Sequence, residues 1–194
     1  MEHREGVATG WRLTAPGRRY GAELLRDELV RSGSRESVES IYREFLPLNR
    51  ELLAVCTAWQ TVEVDGGHVV NDHSDPVRDA EVLRRLDELQ NSVTPLLARL
   101  AGASERFSGY GSRLTRAHQF VRSGRTEWIA RPILDSYHSV WFELHEHLLV
   151  SLGLDRTAEL DMPDAARATT ASRATTASRA TTASRATTLN GDPT

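Results

Sequence analysis

The chain lacks lysine altogether, and all 24 of its basic residues are arginine. Aspartate and glutamate together number 27, which gives a formal net charge of -3 over 194 residues. This balance excludes a strongly basic nucleic-acid-binding surface over the whole chain, so any contact with DNA must be local. The length is sufficient for one domain with a proper core.

Cysteine and long apolar runs are also scarce. Cys56 is the only cysteine and lies among apolar neighbours, which excludes an intramolecular disulfide and fits a buried thiol in a reducing compartment. No stretch approaches the ~18 apolar residues of a membrane span, and no apolar run follows a basic segment at the N-terminus. The sequence therefore predicts a cytoplasmic protein with no membrane partner.

Motifs that would indicate catalysis are missing too. The chain has no phosphate-cradling glycine motif, dinucleotide fingerprint or nucleophile elbow. The run Asp72-His73-Ser74-Asp75 holds the residue types of a hydrolase triad, but triads are assembled across a fold and seldom from adjacent residues. We interpret this run as a loop followed by a helix N-cap, and we predict that the protein is not an enzyme and needs no cofactor.

Apolar residues recur at helical spacing along most of the chain and predict an all-α, multi-helix bundle. The predicted helices run from Ala15 to Arg31, from about Ser34 to a break or kink at Pro47, from an Asn49 N-cap onward, from Asp75-Pro76 to about Leu100 with a bend at Pro95, from Ser104 to Val121, and from Pro132 to Leu152 before Gly153. The turn-forming residues between Val62 and Ser74 predict a loop that can include a short hairpin.

The C-terminal part has a different composition. From Arg167 to Thr188 the unit Arg-Ala-Thr-Thr-Ala-Ser repeats with a period of six, which fits neither a helix nor a heptad. The repeats contain no large apolar side chain whose burial could offset the entropy of ordering the segment. The sequence predicts a disordered tail over residues 158–194.

Residues Gly10 to Arg18 predict a short strand that runs directly into a helix. Trp11 and Leu13 alternate with polar residues as in a strand, Thr14 can cap the following helix, and Pro16 is tolerated in a first turn.

This strand-to-helix segment resembles the last wing strand and the next helix of winged-helix transcriptional regulators of the multiple-antibiotic-resistance-regulator (MarR) type. The sequences Phe45–Gln60 and Val140–Leu149 resemble the C-terminal part of such regulators. The resemblance implies a wing remnant in residues 1–14 and a helical effector-sensing or dimerisation domain in residues 15–157. Such regulators place about 60 residues, including the recognition helix, before the wing. Only nine residues come first here, which implies that the DNA-reading half is missing.

The same resemblance suggests the DNA contacts and the partners. A wing arginine, here Arg12, reaches DNA in such regulators, and Arg18 and Arg19 would meet the backbone. Without a recognition helix, we expect weak binding to duplex DNA with no sequence preference. We also expect a homodimer, because the absent half uncovers one helix face with these apolar residues: Tyr20, Leu24, Leu25 and Leu29.

Aromatic and histidine residues of the helical domain are the candidate site for a small-molecule effector. They can enclose an apolar ligand and orient it, although the same helical spacing also fits core packing; they are Trp59, Tyr137, His138, Trp141 and His145. His147 falls on the opposite side of the last helix and is expected to be solvated.

The alternative is a stand-alone helical bundle that binds a metal or a small ligand. Its ligands would be His138, His145 and residues of the Val62–Asp75 loop. The two histidines are about 10.5 Å apart along a helix, too far to share one metal without a bend, so we expect no tightly bound metal.

Overall fold

The computed structural model describes residues 2–4 and 10–154, and the predicted tail lies outside the described residues. Five α-helices dominate this part of the chain and confirm the all-α prediction. The elements are β1 Glu2–Arg4, β2 Gly10–Arg12, α1 Ala15–Arg31, α2 Arg35–Gln60, β3 Thr61–Val64, β4 Gly67–Val70, α3 Pro76–Ala103, α4 Ser108–Arg122 and α5 Tyr137–Leu152, with 3-10 turns at Glu105–Phe107 and Thr126–Trp128.

Four of the helices form a bundle around one core. Helix α2 packs against α3 and α5, and α4 packs against both α3 and α5, so that the four helices close a ring. Helix α1 packs on α5 from outside this ring. The largest fully buried side chains come from all of these helices and from the 3-10 turns, and include Trp141, Tyr42, Tyr137, Phe45, Phe107, Leu86 and Leu114.

Several helix ends lie where capping residues predict them. The Thr14 hydroxyl accepts the Gly17 N–H at 3.2 Å and starts α1, which spans the predicted residues. Asp75 accepts the N–H groups of the next turn and starts α3. Gly153, with a φ of 72°, adopts the left-handed conformation that ends α5.

Of the break or kink predicted at Pro47, the break is wrong, because α2 continues through Pro47 as one helix. Proline lacks the N–H that would bond the carbonyl four residues earlier, which usually interrupts a helix. Here Phe45 and Leu52, on either side of Pro47, are both buried in the same core. Packing of the whole apolar face therefore outweighs the local preference. Asn49 lies inside the helix and is not an N-cap.

Two other predictions about the helices are also wrong. The last helix starts at Tyr137 instead of Pro132, because the Ser136 hydroxyl accepts the Ser139 N–H and caps it there. On α1 the four predicted apolar residues do not share a face. Leu29 is fully buried, whereas Tyr20 is 63% exposed. A helix turns by about 100° per residue, so positions 20 and 29 point to opposite sides.

The segment between α2 and α3 contains the short hairpin that its turn residues allow. Strands β3 and β4 pair antiparallel, with Thr61 opposite Val70 and Val64 opposite Gly67. Asp65 and Gly66 form the turn with φ values of 51° and 77°. Two consecutive positive φ values are typical of the tight hairpin turn that follows the twist of the strands.

None of the helices in the described residues is long and apolar enough to cross a membrane.

Candidate functional site

The first hairpin and the start of α1 form the candidate DNA-contacting region. Strands β1 and β2 pair antiparallel, with Glu2 opposite Arg12 and Arg4 opposite Gly10. The chain passes from β2 through Leu13 and Thr14 straight into α1. The strand and helix predicted for Gly10–Arg18 are therefore both present.

The three arginines proposed to contact DNA lie together at this junction. Arg12, Arg18 and Arg19 are all exposed. Arg18 Nη1 donates to the Leu13 carbonyl oxygen at 2.7 Å, which ties the guanidinium to the point where the strand ends. The first turn of α1 has no acidic residue to offset these charges or the positive end of the helix dipole. The junction can therefore attract a phosphate.

Three of the five predicted effector-binding residues lie on one stripe of α5. Tyr137, Trp141 and His145 follow one another at intervals of four, and all are buried against α2. Trp141 stacks on Phe45 at 4.9 Å, and its Nε1–H donates to Asn49 Oδ1 at 2.9 Å. His145 also packs on Phe45, at 5.6 Å between ring centroids. These side chains fill the interface between α5 and α2, and their role toward an effector stays a prediction.

The other two predicted residues lie elsewhere. The Trp59 ring, near the end of α2, lies tilted against the His73 ring with 4.3 Å between ring centroids. His73 Nδ1 is in turn 3.0 Å from Asp79 Oδ2 on α3. His138 is half-buried in the first turn of α5, where its backbone N–H donates to the Ile129 carbonyl. The structure therefore divides the five residues among different surroundings.

The same division separates the ligands of the alternative metal site. His145 lies beside Phe45, whereas His73 of the loop lies beside Trp59. Fourteen residues of α2 separate those two neighbours, which is about 21 Å along a helix. In the described ranges, no three His, Cys, Asp or Glu side chains are grouped closely enough to hold a metal ion. The histidines of α5 and the loop do not form one site.

The prediction that His147 is solvated is wrong. Its ring lies 4.6 Å from that of Phe107, and its Nδ1 is 3.1 Å from the Tyr110 hydroxyl. Burial, with a smaller effect from the Arg106 charge, lowers the pKa of His147 below its usual 6.5. Phe107 and Tyr110 come from the turn before α4 and from α4 itself. The pattern of α5 alone could not reveal these neighbours.

Sequence reasoning also missed a groove of about 570 Å³ at the hairpin end of the bundle. Its lining combines small or apolar side chains, such as Ala54, Ala58 and Val82, with charged side chains of α3, such as Arg78 and Glu81. The volume is within the range of small-molecule sites. Because four separate elements line the groove, no single stretch of sequence carries a signal for it.

Comparison of the chain with protein-family models, with curated proteins and with solved structures gives no match in any of the three.

Proposed function

We propose that this chain is the helical sensor and dimerisation part of a winged-helix transcriptional regulator of the MarR type, with its first hairpin serving as the wing. The observation that carries this proposal is the antiparallel pair β1 and β2, whose second strand leads through Thr14 into the long helix α1. Arg12, Arg18 and Arg19 stand exposed at that junction. A wing needs this combination of a hairpin, a following helix and local positive charge.

The proposed DNA contact is electrostatic. In winged-helix regulators base edges are read by a helix in the major groove, whereas backbone contacts position the protein. Arginines at the hairpin and at a helix N-terminus suit phosphates, since both the guanidinium groups and the helix dipole favour an anion. We therefore propose binding that depends steeply on salt and little on base sequence.

The helical body is proposed to be homodimeric and to bind a small apolar effector. Support for an effector site comes from the groove beside β3 and β4. Support for self-association comes from apolar side chains of α1 that face away from the bundle. Neither feature needs a metal or a cofactor.

Fluorescence anisotropy with labelled duplexes tests the DNA contact. The chain should bind duplexes of unrelated sequence with similar, weak affinity at 50 mM salt, and the double variant Arg12→Gln/Arg18→Gln should weaken binding by about tenfold or more. The slope of log K against log salt should also fall by about two, one for each lost phosphate contact. The matched control is Arg43→Gln/Arg84→Gln, which removes two exposed arginines from α2 and α3.

An equal loss of DNA affinity in the two double variants would show that binding depends on the net charge of the protein and not on the junction. Salt-resistant binding to one duplex only would also be incompatible with the proposal, because it requires readout of base edges.

A further inference from the structure

Helix α1 carries apolar residues on the side that faces away from the bundle. Leu29 is fully buried against the bundle, whereas Tyr20 is 63% and Leu24 46% exposed. The helical rotation of about 100° per residue places Tyr20, Leu24 and Gly17 together, opposite Leu29. Leu13, which is 47% exposed just before the helix, extends this line. We call Leu13, Gly17, Tyr20 and Leu24 the outward stripe.

One flank of the outward stripe carries three exposed charges. Arg19, Glu23 and Asp27 follow each other at intervals of four, so they form one row beside the stripe. No ion pair within the described part of the chain involves any of these three residues. Arginine placed four residues before glutamate is also the weaker order for a pair within one helix. These three residues are called the charged row below.

We propose that α1 docks antiparallel on α1 of a second copy of this chain, about a two-fold axis midway between Tyr20 and Leu24. Tyr20 of each copy then lies opposite Leu24 of the other. Arg19 lies opposite position 25, within two residues, or about 3 Å along the axis, of both Glu23 and Asp27 of the second copy. The two-fold axis repeats this contact, so each copy both donates and receives it.

The charges select this orientation. In an antiparallel pair, the same flank of each helix meets across the interface, so the charged row of one copy faces the reversed row of the other. The basic end of each row then lies beside the acidic residues of the other. A parallel pair would set the row against the opposite flank, where the nearest charged residue is Glu28 and its basic neighbour Arg106 is already paired with it. Antiparallel docking thus covers the outward stripe and sets Arg19 of each copy between Glu23 and Asp27 of the other. Each Arg19 also offsets the approach of the two Glu23 side chains, which lie within two residues of each other across the axis.

This pairing deepens the proposed function, because it names the interface of the proposed homodimer, but it needs no DNA. If the chain dimerises but does not bind DNA, the α1 pairing stands and the proposed wing is wrong. If it binds DNA but does not dimerise, the proposed wing stands and the α1 pairing is wrong. Arg19 belongs both to the proposed DNA junction and to the charged row. The DNA test above therefore changes only Arg12 and Arg18, which leaves the charged row intact.

Sedimentation equilibrium over 1–100 micromolar protein tests the interface. The unchanged chain should dimerise, and Arg19→Glu should weaken the dimer by about tenfold or more, since it places like charges together twice. The triple variant Arg19→Glu/Glu23→Arg/Asp27→Arg reverses the row and should recover the dimer to within about threefold. The control Arg43→Glu makes the same change of charge on α2 and should leave dimerisation unaffected.

A second measurement does not depend on the triple variant. Chains with Arg19→Glu and chains with Glu23→Arg/Asp27→Arg, each carrying one dye, should form mixed dimers more tightly than either forms with itself, as seen by energy transfer. Circular dichroism checks that every variant remains helical. A monomer at all concentrations, an Arg19→Glu dimer as tight as the original, or mixed dimers no tighter than the self-dimers would each overturn the proposal.

Discussion

Burial keeps two ionisable side chains of the core neutral. Cys56 is 6% exposed, and desolvation raises the pKa of its thiol to about 11. Burial raises the pKa of Tyr137 as well, and the nearby Cys56 adds to that effect. Neither group carries a charge at physiological pH. Thiol chemistry at Cys56 is therefore suppressed in the folded protein, because the thiolate is the reactive form.

Alkylation of Cys56 measures this directly. With a pKa near 11 instead of 9.0, the thiolate fraction at pH 8 is about 100-fold lower. Iodoacetamide should therefore label the native protein at least about 100-fold more slowly than the protein unfolded in urea, and burial should slow it further. Similar rates in the two states, followed by mass spectrometry, would show that the thiol is exposed and activated.

At the scale of helices and turns, the contact between α1 and the turn Glu105–Phe107 depends on a largely buried arginine. The Arg106 side chain is 11% exposed, forms an ion pair with Glu28 and donates to the Leu25 carbonyl oxygen. The His147 ring of α5 contacts the Phe107 ring beside it in a tilted arrangement. Protonation of His147 would bring a second positive charge close to Arg106. The link between α1 and the bundle should therefore weaken in acid.

The variant His147→Gln tests this link. The folded-state pKa of His147 lies below 6.5, so the fold favours the neutral imidazole. Stability from this residue is complete above pH 6.5 and is lost as pH falls through the folded-state pKa. Between pH 7 and pH 5, the free energy of unfolding should fall further for the original chain than for His147→Gln. His68→Gln, on the exposed strand β4, is the matched control.

Urea unfolding at several pH values gives these free energies. Parallel pH profiles for the original chain and His147→Gln would contradict the account of this contact.

Helix boundaries show what sequence can and cannot predict at this scale. The start of α1 at Thr14 and the end of α5 at Gly153 are set by capping within a few residues, so both are readable from the chain. The continuation of α2 through Pro47 depends on contacts with α3 and α5, which are far away in sequence. The contacts of His147 could not be predicted for the same reason, because its neighbours belong to another helix and to a turn.

At the scale of the whole molecule, the four-helix ring encloses the core and α1 connects it to the first hairpin. Periodicity predicts that the helices exist, and the Gly10–Arg18 motif predicts the strand-to-helix junction. Neither predicts the groove beside β3 and β4, because its lining comes from elements that meet only in the folded chain. The local parts of the candidate site were therefore predictable, and the assembled parts were not.

The most direct test of the proposed wing is amide hydrogen exchange with and without duplex DNA at low salt. Binding through the junction should slow exchange within residues 10–20, where the N-terminal amides of α1 and the exposed arginines face a phosphate. Peptides from α3 and α4 should exchange at the same rate in both samples. Protection of α3 or α4 with no change in residues 10–20, under conditions where anisotropy shows bound DNA, would contradict the account.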